Sequence, residues 1–116
     1  MRKIFILLIT VFGMVATVSA QQEILYIGNQ DTTTMLRSDS AVIAALTGMG
    51  YNVWYAEDDS VNVTSFDFSP YDAAVIGEAG SSSKLANMVV NYGYPLPIVN
   101  LKGFMMRYDK WNWVQN

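Results

Sequence analysis

The chain has 116 residues, of which 52% are hydrophobic and 15% charged, and its formal net charge is −3 at pH 7. This length fits one small domain with a single core. Acidic residues outnumber basic ones, whereas a nucleic-acid-binding protein needs a basic face, so we expect no nucleic-acid partner. The chain contains no Cys and no His, which removes thiolate, imidazole, common zinc and Ser-His-Asp chemistry from these residues. We therefore predict no catalytic residue, no metal site and no cofactor.

The N-terminus has the three-part pattern of a secretory signal peptide. Arg2 and Lys3 precede an apolar run over residues 4–18, and Val18-Ser19-Ala20 places compact residues before a cleavage site at Gln21. A membrane anchor needs about twenty apolar residues, and this run is shorter. An uncleaved anchor is the alternative. Lipid attachment at a lipobox is excluded because the chain has no Cys.

Cleavage after a signal peptide over 1–20 leaves one α/β domain over 21–116. Because the leader carries two basic residues, its loss changes the formal net charge from −3 to −5, and such a charge keeps a secreted protein dispersed. We expect contact with the membrane only during export. The final location is then secreted, periplasmic or on the cell surface.

The first predicted elements are a strand and a helix. Glu23–Gly28 is a short apolar run that ends in Gly, which is typical of a strand buried on both faces. After a polar loop, one helical stripe carries Leu36, Val42, Ile43, Leu46 and Met49. We expect Ser38, Asp39 and Thr47 to lie off this stripe, and we expect the helix to end at Gly50.

The middle of the chain contains a second strand and an irregular segment. Asn52–Ala56 is rich in β-branched and aromatic residues, which favours a strand, and the acidic turn Glu57-Asp58-Asp59 follows it. We expect this turn to be solvated; weak Ca²⁺ binding through its carboxylates is the less favoured alternative. Residues 60–70 have no clear period. Their apolar side chains are expected to lie under the sheet: Val63, Phe66 and Phe68.

The last predicted elements are a strand, a helix and a further strand. Tyr71–Gly77 predicts the third strand, and the loop Glu78–Ser83 supplies a serine N-cap for a helix that ends at Gly93. That helix carries Leu85, Met88, Val89 and Tyr92. Leu96–Leu101 predicts the fourth strand, with Pro97 near its start, where a missing N–H is tolerated.

The alternation of strands and helices predicts parallel strands joined by right-handed crossovers. We therefore predict an α/β fold with an open, mainly parallel sheet of about four strands and flanking helices, of the Rossmann-like or flavodoxin-like three-layer kind. Residues 103–114 are rich in aromatic and large apolar side chains, which normally pack against other groups. Two explanations stay open. The tail folds back as a last helix over one face, or the chain is the first part of a longer protein and its sheet is incomplete.

Four segments carry a resemblance to a known family. They are Ile24-Leu25-Tyr26-Ile27-Gly28, Ala45-Leu46-x-x-Met49-Gly50-Tyr51-x-Val53, Tyr71–Ile76 leading to Glu78 and Ser81-Ser82-Ser83, and Pro97-Ile98-Val99. In these segments the chain resembles the flavodoxin-like half-domain of the class I glutamine amidotransferase-like superfamily, in the divergent form of secreted bacterial surface proteins. Catalytic members use a Cys nucleophile assisted by a His, and this chain has neither. The resemblance therefore implies the fold and not that activity.

The predicted ligand site lies beyond the carboxyl ends of the strands, near the point where the strand order reverses. Three loops are expected to converge there, over residues 28–34, 77–83 and 100–103. Their polar residues form the predicted ligand-binding set: Asn29, Gln30, Asp31, Glu78, Ser81, Ser82 and Lys102. Backbone N–H groups at the start of the next helix could also hold an anion. The alternative is that these residues only cap helices and form turns.

Two further patterns suggest sites that we rank lower. Ser81-Ser82-Ser83-Lys84 contains the residue types of a Ser–Lys catalytic pair, but neighbouring residues at a helix start point in different directions. Trp111 and Trp113 alternate like one face of a strand, which suggests a sugar platform or, alternatively, burial. The chain has no glycine-rich nucleotide motif, which disfavours a nucleotide.

The function that these observations favour is a secreted, non-catalytic binding or surface module with a glycan or a peptide as ligand, or with further domains of a longer chain as partner. The alternative is the N-terminal part of a larger secreted, hydrolase-like enzyme whose catalytic residues lie beyond Asn116. A complete carboxylate-based hydrolase using Asp31 and Glu78 ranks last, because nothing in the sequence sets the distance between the two acids.

Overall fold

The computed structural model describes residues 19–29, 37–62, 65–93, 95–106 and 110–111. These residues form a four-stranded, all-parallel sheet in the order β2-β1-β3-β4, which confirms the predicted α/β class. The strands are β1 (Glu23–Gly28), β2 (Asn52–Glu57), β3 (Ala73–Ile76) and β4 (Ile98–Asn100). The helices are α1 (Arg37–Gly48), α2 (Asp58–Asn62) and α3 (Ser82–Tyr92), followed by a 3₁₀ turn over Gly103–Met106.

β1 is an inner strand of the sheet, and its alternating side chains are apolar on both faces. Ile24 and Tyr26 pack on the face that α1 covers, whereas Leu25 and Ile27 pack on the face that α2 and α3 cover. β1 pairs with β2 on one side and with β3 on the other. A strand hydrogen-bonded on both edges and buried on both faces explains the continuous apolar run in the sequence.

α1 packs through Val42, Ile43 and Leu46, as predicted. Two details of its predicted stripe are wrong. Asp39 lies on the apolar face and is only 1% exposed, since it precedes Val42 by three residues, which is less than one turn. Met49 is 74% exposed because the helix has already ended at Gly48.

The end of α1 is a Schellman motif, which accounts for the predicted stop. Gly50 has a positive φ of 94°, a conformation that glycine adopts without the steric cost of a Cβ. The Tyr51 N–H donates to the Leu46 carbonyl at 3.2 Å, and the Gly50 N–H donates to the Thr47 carbonyl at 3.0 Å. The chain then turns directly into β2.

The larger core lies between the sheet and the pair α2 and α3. Its central side chains are Leu25, Ile27, Val61, Phe68, Ala74, Ile76, Leu85 and Met88. Phe68 is buried and Phe66 half-buried, as predicted, while Val63 lies outside the described residues. The prediction of a solvated acidic turn is wrong for Asp58, which is 1% exposed and begins α2, whereas the side chain of Asp59 is 65% exposed.

The C-terminal segment contributes to this same core. Met105 and Trp111 are buried against it, and the Trp111 Nε1–H donates to the Leu85 carbonyl at 3.2 Å. The described part of the tail therefore folds back onto the α3 face and contains a short 3₁₀ turn. The last helix was one of the two explanations left open, and residues 107–109 and 112–116 lie outside the described residues. Because Trp111 is buried, it is not a sugar platform, and Trp113 lies outside the described residues.

The faces of the sheet are covered unequally. α1 packs over β1 and β2, and within the described residues no second helix lies beside it. Val99 in β4 shares that face with Val75 of β3 and is half-exposed, as is Leu101. The predicted signal peptide lies almost entirely outside the described residues. None of the helices in the described part of the chain is long and apolar enough to cross a membrane.

Candidate functional site

The carboxyl ends of β1 and β3 form the point at which the strand order reverses. α1 follows β1 on one face of the sheet, whereas α3 follows β3 on the other face. The chain therefore leaves the two strands toward opposite faces of the sheet beyond Gly28 and Gly77, and we call this position the switch-point crevice. In open α/β sheets, ligands bind at this place.

A buried tyrosine–carboxylate pair lies beside the crevice. The Tyr26 Oη–H donates to Asp39 Oδ1 at 2.7 Å, and each of the two residues is 1% exposed. Burial raises the pKa of Tyr26 above its usual range, and the hydrogen bond to Asp39 raises it further. Tyr26 therefore stays protonated and acts as a donor. Asp39 Oδ2 is also buried, but it has no hydrogen-bond partner among the described residues.

Two glycines at the strand ends make room for these phenol rings. A Cβ on Gly77 would lie 2.7 Å from Tyr26 Oη and 2.8 Å from Asp39 Oδ1, and a Cβ on Gly28 would overlap the ring of Tyr55. The Tyr26 and Tyr55 rings stack with centroids 6.0 Å apart. Gly28 at the end of β1 and Gly77 directly after β3 are therefore required by side-chain packing beside the crevice.

Of the predicted ligand-binding set, the structure brings Glu78 and Lys102 together. The Lys102 Nζ donates to the Glu78 backbone carbonyl at 2.7 Å. The Asn100 side chain holds the Lys102 backbone through two hydrogen bonds of 3.0 Å each. Lys102 thereby links the β4 end to the loop after β3, and the one described contact of its Nζ uses one of the three N–H donors of an ammonium group.

Ser81 and the helix start behave differently from the prediction. Ser81 is the N-cap of α3, but its side chain makes no capping hydrogen bond. Instead, the Ser81 backbone N–H donates to Asp58 Oδ2 at 2.5 Å. A carboxylate of the protein itself thus occupies the helix start where a bound anion was expected, and it interacts favourably with the helix dipole.

The side chains of the proposed Ser–Lys pair and Ca²⁺ site are also engaged in structural contacts, since Lys84 forms ion pairs with Asp58 and Asp59. Lys84 Nζ lies 2.6 Å from Asp59 Oδ1 and 3.2 Å from Asp58 Oδ1. The hydrogen bond to Asp59 raises the pKa of Lys84, which keeps the ammonium protonated and unsuited as a base. Both oxygens of Asp58 are engaged. No group of three or more potential metal-ligating side chains occurs in the described ranges.

The remaining predicted residues lie at the rim or outside the described chain. Asn29 is exposed immediately after β1, and Ser82 is half-buried at the start of α3. Gln30 and Asp31 lie outside the described residues. The prediction missed Tyr26 and Asp39. The signal for Asp39 was available, because helical spacing places it on the apolar stripe of α1.

No family model, no curated protein and no solved structure matches this chain. The resemblance to the glutamine amidotransferase-like superfamily therefore rests on the residues quoted above and stays a proposal.

Proposed function

We propose that this protein is a non-catalytic binding module of the cell exterior, which takes a glycan or a peptide in the switch-point crevice. The observation that carries the proposal is the buried Asp39 Oδ2, which lacks a described hydrogen-bond partner. A buried acceptor without a donor costs about 1–3 kcal/mol. A ligand whose donor reaches Oδ2 would recover this free energy, and because the atom is buried, such binding has to open the contacts that cover it.

The chemistry of the crevice favours a ligand with hydroxyl or amide N–H groups. Asp39 offers an acceptor in a desolvated position, where a hydrogen bond is stronger than in water. Lys102 offers N–H donors at the same edge of the sheet, and Asn29 and Glu78 add exposed polar groups at the rim. Sugars and peptides carry both donors and acceptors, so they match this mixture.

The same residues give little support to catalysis. The chain has no Cys and no His, and Lys84 is held protonated by its ion pairs. The resemblance to the glutamine amidotransferase-like superfamily thus contributes a fold and not a nucleophile. Export through a signal peptide is part of this proposal and rests on the sequence pattern of residues 1–20.

The test is a glycan and peptide array probed with the purified protein, followed by titration of each hit. Asp39→Asn retains an acceptor for Tyr26 but places an amide N–H₂ where Oδ2 lies, so binding should weaken at least tenfold while thermal unfolding stays cooperative. Asp67→Asn is the control, because it removes an exposed carboxylate away from the crevice.

Three results would contradict the proposal. One is the absence of any array hit, and another is equal affinity of the Asp39→Asn variant. The third is hydrolase turnover that disappears in Glu78→Gln. If residues 21–116 alone show no cooperative melt, the alternative of a larger enzyme gains support, because a complete domain of this size unfolds in one cooperative step.

A further inference from the structure

A second cleft lies at the opposite edge of the sheet, near the amino ends of the strands. Its volume is about 330 Å³, and it is lined by Glu23, Trp54, Pro70 and Tyr71. We call it the aromatic cleft. Glu23 begins the inner strand β1, Trp54 comes from β2, and Pro70 and Tyr71 precede β3. A carboxylate of β1 therefore lies between aromatic groups that come from β2 on one side and from the segment before β3 on the other.

The carboxylate of Glu23 is fixed by hydrogen bonds. The Asn52 Nδ2 lies 3.0 Å from Oε1 and 2.8 Å from Oε2, and the Trp54 Nε1–H donates to Oε2. These contacts follow from the register, in which Glu23 pairs with Asn52 and the next-but-one β2 residue, Trp54, shares its face. The acid and the indole thus hold each other in place.

The aromatic groups are positioned before any ligand arrives. Trp54 is 51% exposed although its indole N–H is already bonded, so it presents an aromatic face to solvent. The Tyr71 ring stacks on Phe66 with a centroid distance of 6.4 Å and an interplanar angle of 14°. Groups that are already ordered lose little conformational entropy on binding, which favours affinity.

The charge around the aromatic cleft is negative. Asp72 lies beside Glu23, since its Oδ2 accepts the Glu23 backbone N–H at 2.8 Å. None of the described residues that line the cleft is a Lys or an Arg. Two carboxylates with aromatic faces attract a cation through both Coulomb and cation–π interactions.

We propose that the aromatic cleft binds a quaternary ammonium group, such as the trimethylammonium head of choline. The carboxylate of Glu23 already accepts N–H groups from Asn52 and Trp54, so less of its accepting capacity remains for a hydroxyl-rich sugar. A quaternary ammonium donates no hydrogen bond and needs none. It is held by the carboxylate charge and by contact with the aromatic faces. This site is separate from the switch-point crevice, and its ligand class does not depend on the function proposed there.

The experiment is calorimetric titration of the purified full chain with choline and with 3,3-dimethylbutan-1-ol, the neutral carbon analogue of choline. Choline should bind at least tenfold more tightly, because only the cation gains the charge and cation–π interactions. Raising the ionic strength from 0.02 to 0.5 M should weaken choline binding several-fold and leave the neutral analogue unchanged.

Variants assign the site. Trp54→Leu keeps an apolar side chain but removes the aromatic face, and Glu23→Gln removes the charge; each should weaken choline binding about fivefold or more. The exposed Asp59→Asn variant, which removes one negative charge at the other edge of the sheet, should stay within twofold of the wild type. Asp39→Asn should also leave choline binding unchanged, which separates this site from the crevice.

The salt titration uses the wild-type protein, so it remains informative if a variant fails to fold. Equal affinities for choline and its neutral analogue would overturn the proposal. So would the absence of choline binding up to 100 mM, or tighter binding of a neutral sugar that is lost in Trp54→Leu.

Discussion

Replacing Tyr26 with Phe removes a single oxygen from the buried pair beside the switch-point crevice. The Tyr26 hydroxyl donates to Asp39 Oδ1 at 2.7 Å, and both residues are buried. A hydrogen bond to a carboxylate contributes about 1.5–3 kcal/mol. In the variant, Asp39 Oδ1 loses the donor that Tyr26 provides, and Oδ2 already lacks a described hydrogen-bond partner. We expect Tyr26→Phe to lower the free energy of unfolding by about 2–3 kcal/mol.

This loss should depend on pH in a defined direction. The folded pKa of Tyr26 is raised by burial and then by Asp39, whereas an unfolded tyrosine ionises near pH 10. The stabilising effect of the folded phenol is complete below pH 10 and declines as the pH rises above it, since only the unfolded state releases the proton. By pH 11 the difference between wild type and Tyr26→Phe should shrink by about 1.4 kcal/mol.

Urea unfolding followed by circular dichroism at pH 7 and pH 11 measures both quantities. Other tyrosines and lysines titrate equally in the two proteins, so they cancel in the difference. Asp39→Ala and the double variant complete a cycle, whose coupling free energy we expect to reach at least 1 kcal/mol. A pH 7 loss below about 0.5 kcal/mol, or additive single effects, would refute the reasoning, since a hydrogen bond of this kind contributes more.

Two further predictions compare matched pairs of variants. Asp58→Ala removes a buried carboxylate that contacts Lys84 and the start of α3, so the free energy of unfolding measured in urea should fall by about 2–4 kcal/mol. The Asp59 side chain is 65% exposed, so Asp59→Ala should lower that free energy by less than about 1 kcal/mol. Equal losses would show that burial of Asp58 is unimportant. Gly77→Ala would collide with two buried polar side chains and should lower the melting temperature, while Gly48→Ala meets no atom within 4 Å and should stabilise α1 by up to about 1 kcal/mol. A neutral Gly77→Ala would contradict the packing beside the crevice.

The order of the four strands, α1 and α3 could be predicted because each has a local signal, whereas the short helix α2 was not predicted. β1 is an apolar run, and α1 has a helical stripe that stops at Gly50, so neither needs knowledge of its neighbours. The parallel arrangement follows from the alternation of strands and helices. The predicted bounds of the shorter strands were less exact. β3 begins at Ala73 and not at the predicted Tyr71, because a strand starts where it pairs with its neighbour β1, and composition does not show that position.

The hydrogen-bond partners of the buried polar side chains could not be predicted because they are distant in sequence. Asp39 lay on the apolar stripe, but its acidity argued for solvent until Tyr26 on β1 supplied a donor. Asp58 belongs to an acidic triplet in the sequence, and only the approach of α3 shows why it is buried. The aromatic cleft likewise depends on the register that places Trp54, 31 residues along the chain, against Glu23.

The position of β1 between two hydrogen-bonded neighbours has a consequence for how the sheet opens. Amide protons within β1 are covered by a neighbouring strand on each side and by a core on each face. Their exchange with deuterium requires unfolding of the whole domain. β4 spans three residues at one side of the described sheet and carries the half-exposed Val99. Its amides therefore exchange through a smaller, local opening, and the sheet loosens from β4 inward.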